Sequence, residues 1–393
     1  MNKKRVIIIQ TTTLDRSTRA NKEIKTLTGS GYLVTLLCWD RGVESSMSGQ
    51  KEAGDFNREI RVKIRGPWGS TIKTFPFIPI WWCFEFFWLM ATKWDVAHAI
   101  QITSIPPAVI AGKLKRKPVI YEMLDTTEDE MVLHKVIRNI FIKVDKLFMW
   151  LASGVILADE MQIEEVGGIP NHKVVPVYDS PPDASSAINI GSREDDTFTI
   201  FYGGMLLSAK VLNLDKVFTA IKDIEDVKII IAGYGDLTDE ISEWSHIMPD
   251  KIQFIGEISH AEVLKRSAEA NLLFMLRSPI LIANKYICGS KVLEAMMCGT
   301  PIVVNKGTST ANIVREENCG LVVDANNIEE IREAIIKLSD NPELCEELGA
   351  NGRKAYEGRY SWKIMEQRLL ALYRELTGEL GKRKKRGHNS EEN

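Results

Sequence analysis

Short apolar runs recur along this chain at the spacing of a parallel sheet, and they do so in two separate series. Arg5–Ile9, Leu33–Cys38, Val96–Ile100, Pro118–Tyr121, Gly154–Leu157 and Lys173–Val177 read as strands buried on both faces, because they are near-continuous rather than alternating. A second series follows at Thr197–Tyr202, Val227–Ala232, Ile252–Ile255, Leu272–Leu276, Pro301–Asn305 and Gly320–Val323. Helical stretches fill the gaps, as at Arg19–Leu27 ahead of Gly29 and Gly31, so each series specifies an α/β layer with a parallel sheet. A chain of 393 residues also exceeds what one core organises, which fits two domains.

The periodicity stops at Ser180-Pro181-Pro182-Asp183. The expected division is therefore a Rossmann-like domain over 1–183, a small, polar linker over 184–197, and a second Rossmann-like domain over 198–378. Within the last stretch Trp362, Met365, Leu369 and Leu372 recur at helical spacing, as expected of a packing helix that can cross back to the first domain. Residues 379–393, with Lys382-Arg383-Lys384-Lys385-Arg386, read as a charged tail that cannot build a core.

Composition narrows the function. The six cysteines form no C-x-x-C pair, which argues against structural zinc and against a disulfide framework. Val6-Ile7-Ile8-Ile9 is too short for a signal-peptide core and reads as a first strand, so a cytoplasmic location is expected. Residues 1–180 hold 24 Lys and Arg against 20 Asp and Glu, whereas the remainder holds 26 against 33. That asymmetry is either a solvated surface or a first half that faces an anionic partner. No nucleic-acid partner is expected.

In open parallel sheets ligands sit beyond the carboxyl ends of the strands, so the residues just after each run matter most. Thr197–Tyr202 leads into Gly203-Gly204, where missing side chains let a phosphate approach main-chain N–H groups, and Lys210 follows. Val227–Ala232 ends in Gly233-Tyr234-Gly235-Asp236, and Ile252–Ile255 ends in Gly256-Glu257. Thr238 stands where a dinucleotide fingerprint would place its third glycine, so a nicotinamide site is not expected. Ser290 to Cys298 reads as a short amphipathic helix closed by Gly299 before Pro301. Its N-terminus can hold an anion, with Lys291 adding a full charge. Glu294, one turn later among apolar neighbours, is suited to ribose hydroxyls or is simply a surface carboxylate on a packed helix.

These motifs, in this order, resemble a GT-B fold glycosyltransferase of glycosyltransferase family 4, a retaining enzyme with two Rossmann-like domains facing across a cleft. The likeness covers nearly the whole chain. Asp15, Arg19 and Glu23 ahead of Gly31-Tyr32, Trp94 to His98, Pro106-Pro107-Ala108 and Val119 to Glu122 are similar to the family's acceptor domain. Gly203-Gly204 with Lys210, Gly233-Tyr234-Gly235, Gly256-Glu257, and Lys291 to Pro301 resemble its donor domain, and Asn351-Gly352-Arg353 with Tyr360-Ser361-Trp362 its closing segment.

The resemblance implies that Lys210 contacts the donor diphosphate, that Glu294 binds ribose, and that the turns at Gly233 and Gly256 line the base. Asp125, His98, Lys210 and Glu294 are the catalytic candidates, with Ser290, Lys291 and Tyr286 joining the donor site. Asp125 is read as orienting an acceptor hydroxyl or as capping a helix, and His98 as a site residue or a hydrogen-bonded structural one. The chain departs from the family at Met205 for an arginine, at Tyr286 for a glutamate and at Leu124 for a histidine. It contains no D-x-D, so the nucleotide-sugar is expected to act as co-substrate without a metal or other cofactor. An epimerase of the same shape, or a nucleotide-sugar-binding protein without catalysis, are the other readings.

Phe75 to Trp88 holds eight Phe or Trp in fourteen residues and follows the basic residues Arg58, Arg61, Lys63, Arg65 and Lys73. Arg58–Trp88 reads either as an interfacial segment on the inner face of a membrane, which would suit a lipid-linked acceptor, or as a core helix.

Overall fold

The computed structural model describes residues 3–42, 58–64, 66, 74–124, 135–167, 174–188, 197–206, 212–277 and 282–379. Lys210, Asp125, Arg65, Lys73, most of the expected linker and nearly all of the expected tail lie outside the described residues. The chain divides into two compact units, Met1–Val177 with Glu366–Asn393, and Tyr178–Met365.

In the first unit the strands are β1 (Arg5–Gln10), β2 (Leu33–Asp40), β3 (Arg58–Lys63), β4 (Val96–Ile100), β5 (Val119–Met123), β6 (Gly154–Leu157) and β7 (Val174–Pro176). They form one sheet in the order β3-β2-β1-β4-β5-β6-β7, and every pairing is parallel, as in Val6 opposite both Val34 and Val96. On one face Ile7, Ile9, Trp39 and Tyr121 pack with Trp81, Val109 and Met149 from the helices Ile78–Ala91, Ile105–Lys115 and Lys135–Leu151. The Trp39 and Trp81 rings stack with centroids 6.1 Å apart. The helix Trp362–Leu376 also joins this unit at its C-terminal part: a Cβ on Gly154 would come 2.9 Å from a Leu372 methyl, so the helix packs closely on the start of β6.

One expectation changes here. Arg58, Arg61 and Lys63 are not a basic lead into the aromatic segment; they belong to the edge strand β3, whose pattern of exposed and half-buried residues hides it from a search for apolar runs. The aromatic stretch itself is the helix Ile78–Ala91, which buries Ile78, Trp81, Glu85 and Leu89 on one side. None of the helices among the described residues is long and apolar enough to cross a membrane.

The second unit repeats the pattern with β8 (Phe198–Met205), β9 (Val227–Tyr234), β10 (Ile252–Phe254), β11 (Leu272–Met275), β12 (Ile302–Asn305) and β13 (Gly320–Val323). Their order is β10-β9-β8-β11-β12-β13, again all parallel. The strand order reverses direction between β8 and β11, and a crevice opens at such a point beyond the carboxyl ends. Ile200, Ile229, Phe274 and Val303 supply the sheet side of the core, with Phe218 and Leu338 packed on it.

Candidate functional site

Of the expected donor residues, Lys210 lies outside the described residues, while Gly203, Gly204, Gly233, Tyr234, Gly235, Gly256, Ser290, Lys291 and Glu294 lie around the carboxyl edge of the second sheet, where β8, β9 and β11 end. Gly204 and Gly233 both have φ +148, a backbone region that side chains rarely adopt. A Cβ on Gly233 would fall 1.8 Å from the Gly204 carbonyl oxygen, so this glycine is required by the close approach of β8 and β9. Gly233 N–H donates to the Gly256 carbonyl at 2.8 Å, which draws the turn after β10 into the same edge. Tyr234 is 40% exposed beside it, and Glu257 is exposed.

The helix Ser290–Cys298 follows Gly289, which offers no side chain to cap it, and its first turn holds no acid. No capping side chain reaches its first N–H groups among the described residues, in the manner of an anion site. A Cβ on Gly289 would meet the Met275 sulfur at 2.4 Å, so glycine lets the helix start seat directly against the end of β11. Gly299, left-handed at φ 67, closes the helix, with Thr300 N–H returning to the Ala295 carbonyl.

Lys291 donates to the Gly203 carbonyl and stands 4.8 Å from the Tyr202 ring centroid. Burial lowers its pKa from the ordinary value, Glu294 pulls it back up, and Arg277 pushes it further down. Arg277 was not among the expected residues. It lies just past β11, and its Nε is buried with no hydrogen-bond partner among the described residues. The only hint in the sequence is its position after a strand, because a lone arginine in a loop carries no pattern.

Glu294 is held by a second residue that the sequence reading missed, His260, whose Nε2 lies 3.4 Å from Glu294 Oε1. Burial pushes the Glu294 carboxyl up, but the His260 contact and Lys291 outweigh it and leave the pKa below the usual value. Two cations, a carboxylate and a free helix start thus share one edge, an arrangement able to hold a phosphate and hydroxyl groups together. Tyr286 is half-buried in the short helix Ile282–Tyr286, with Lys285 Nζ 4.8 Å from its ring centroid. Met205 is 52% exposed at the end of β8.

In the first unit, His98 is fully buried. Its Nδ1 pairs with Tyr373 Oη at 2.8 Å and its Nε2 with Glu122 Oε2 at 3.2 Å. Arg19 Nε donates to Glu122 Oε1 at 2.6 Å and lies 3.4 Å from Glu23 Oε1. Burial raises the Glu122 pKa, but Arg19 and His98 bring it down to about 2. With no exposed surface and Nδ1 hydrogen-bonded to Tyr373, His98 fits the hydrogen-bonded structural reading of this residue, although its Nε2, close to Glu122, makes no hydrogen bond among the described residues. Glu23, His98 and Glu122 have the composition of a metal site, yet the Arg19 guanidinium already supplies the cation there.

Residues 186–355 match the family Glycosyl transferases group 1. Over 145 residues the chain is 26% identical to a GDP-mannose-dependent monoacylated alpha-(1-6)-phosphatidylinositol monomannoside mannosyltransferase of Corynebacterium glutamicum, covering 37% of this chain and 38% of that one. The matched stretch is less than half the length of the first two curated relatives. Among solved structures, sucrose-phosphate synthase from Thermosynechococcus elongatus superposes with a TM-score of 0.72 at 14% identity, covering 96% of this chain and 100% of that one. Anabaena HepE in complex with UDP and glucose superposes at 0.66 and 14% identity, covering 94% and 98%.

Proposed function

We propose, from the match of residues 186–355 to the glycosyl transferases group 1 family and from the GT-B fold, that the protein moves a sugar from a nucleoside diphosphate-sugar onto a glycan or lipid-linked acceptor. The observation that carries the reading is the uncapped start of the helix Ser290–Cys298 with Lys291, Arg277 and Glu294 beside it. Helix N–H groups and the two cations bind the diphosphate, and Glu294 accepts hydrogen bonds from ribose hydroxyls. The names of relatives support a sugar nucleotide as the donor class: one is GDP-mannose-dependent, and HepE was solved with UDP and glucose.

The transfer proceeds with retention. The acceptor oxygen bonds to the anomeric carbon on the face that the leaving phosphate vacates, the bond from that carbon to the phosphate oxygen breaks, and the hydroxyl proton passes to the phosphate. Lys291 and Arg277, with Lys210 as a further cation from outside the described residues, stabilise the charge that develops there. These cations take the place of a metal clamp, so transfer is expected to persist in EDTA.

A thermal-shift screen of UDP-, GDP- and ADP-sugars tests the site. A bound donor at a hundred times its dissociation constant adds about 2.7 kcal/mol of stability, readily seen as a raised Tm. Lys291→Ala and Glu294→Ala should each abolish the shift, since a charge-assisted hydrogen bond contributes about 1.5–3 kcal/mol. No shift with any sugar nucleotide, or an undiminished shift in both variants, would remove this reading.

A further inference from the structure

We propose that the outer helical layer of the first unit, together with the basic rim at the amino edge of its sheet, is a docking surface for an anionic phospholipid bilayer. The helices Ile78–Ala91, Ile105–Lys115 and Lys135–Leu151 cover one sheet face as neighbours, and their inward residues join one core. Their outward sides are apolar as well. Phe87 is 68% exposed, Leu114 63%, Trp150 54% and Ile110 51%, one or more from each helix. Phe84 lies one turn from Phe87 on the same exposed side. Three adjacent helices each presenting large apolar groups form a layer beyond what scattered surface residues produce.

The amino ends of β1, β4 and β5 border this layer, and cations crowd there. Residues 3–5 are all basic, Lys93 precedes β4, and 113–117 holds four more, whereas the stretches 3–5, 92–95 and 113–118 contain one carboxylate, Asp95. Asp95 is already taken by Lys117 at 3.2 Å and by the Arg5 N–H at 2.9 Å. Lys113, Arg116 and Lys117 line a cleft of about 410 Å³ with Leu151 and Ser153, a space suited to a lipid phosphate. Aromatic and aliphatic groups bordered by one sign of charge match the boundary between headgroups and acyl chains. A second copy of this chain fits poorly, because the pairing would bring like charges together.

This surface lies away from the carboxyl edge of the first sheet and owes nothing to the donor residues, so it stands or falls separately from the proposed activity. Flotation of the full chain with neutral phosphatidylcholine vesicles, and with vesicles roughly one third phosphatidylglycerol, tests it. Binding to the anionic vesicles alone is expected, weakened at least tenfold in Phe84→Ser/Phe87→Ser and in Lys113→Glu/Arg116→Glu. Donor thermal shifts should be the same in all three proteins. Undiminished binding by both variants, as would follow if Lys382–Arg386 carried it, overturns the proposal. So does self-association that Phe87→Ser abolishes with no flotation of the wild type.

Discussion

His260 Nε2 sits 3.4 Å from Glu294 Oε1, and the imidazole holds that carboxylate in its charged form at the edge of the second sheet. Together with Lys291 it keeps the Glu294 pKa below the ordinary value of 4.5 despite burial. A depressed carboxyl stabilises the charged form above its ordinary value, and the benefit disappears as pH falls through the folded value. Donor affinity should therefore survive acidification into the usual carboxylate range in the wild type and fall at a higher pH in His260→Ala. Calorimetric titrations between about pH 4 and pH 8 decide this. Superimposable profiles would assign the histidine no part in setting the charge.

Gly233→Ala places a Cβ against the Gly204 carbonyl at a φ that alanine avoids. Strain at such a backbone costs about 1–3 kcal/mol before any clash is counted. We expect a lower urea midpoint and a weakened donor-induced shift together. Gly256→Ala, where a Cβ meets nothing within 4 Å, should cost less, though its φ of +71 still penalises it.

Arg19→Met removes the guanidinium that pairs with buried Glu122 and Glu23. Stranding buried carboxylates costs about 3–5 kcal/mol, and the urea midpoint near neutral pH should drop accordingly. The wild type draws on the depressed Glu122 pKa, about 2, above the ordinary carboxyl value and loses that contribution as pH falls toward 2. The variant's deficit should therefore shrink in acid. A deficit that is constant with pH would mean that lost packing, and not charge, is responsible.

Glu85→Leu should stabilise the protein. Glu85 is fully buried, both its oxygens lack hydrogen-bond partners among the described residues, and burial raises its pKa well above the usual value. A raised carboxyl penalises the folded state increasingly as pH climbs from the unfolded value toward the folded one. The gain, about 1–3 kcal/mol, should be largest near neutral pH and smaller near pH 4. Denaturant midpoints at the two pH values measure it, and a loss of stability at neutral pH would show that the carboxyl has a use.

The local pattern was a faithful guide wherever burial on both sheet faces demanded a continuous apolar run. All six expected strands of the second unit are present, and Trp362, Met365, Leu369 and Leu372 are all buried. The edge strand β3 escaped because Arg58, Arg61 and Lys63 meet solvent, and an edge does not require that pattern. His260 and Arg277 escaped for another reason: one reaches Glu294 across 34 positions, and the other is recognised by its buried Nε, unpaired among the described residues.

Two parallel α/β layers, their glycine turns and the helix start at Ser290 were determined by the order of residues alone, because periodicity, capping and glycine act within a few positions of the chain. Whether a polar residue faces ligand or core was decided only by folding. His98 and Lys291 both belong to motifs that suggested chemistry, yet one is enclosed between Tyr373 and Glu122 while the other reaches the carboxyl edge of a sheet. Burial and charge pairing depend on strands and helices far apart in sequence, and no local pattern encodes which of them will meet.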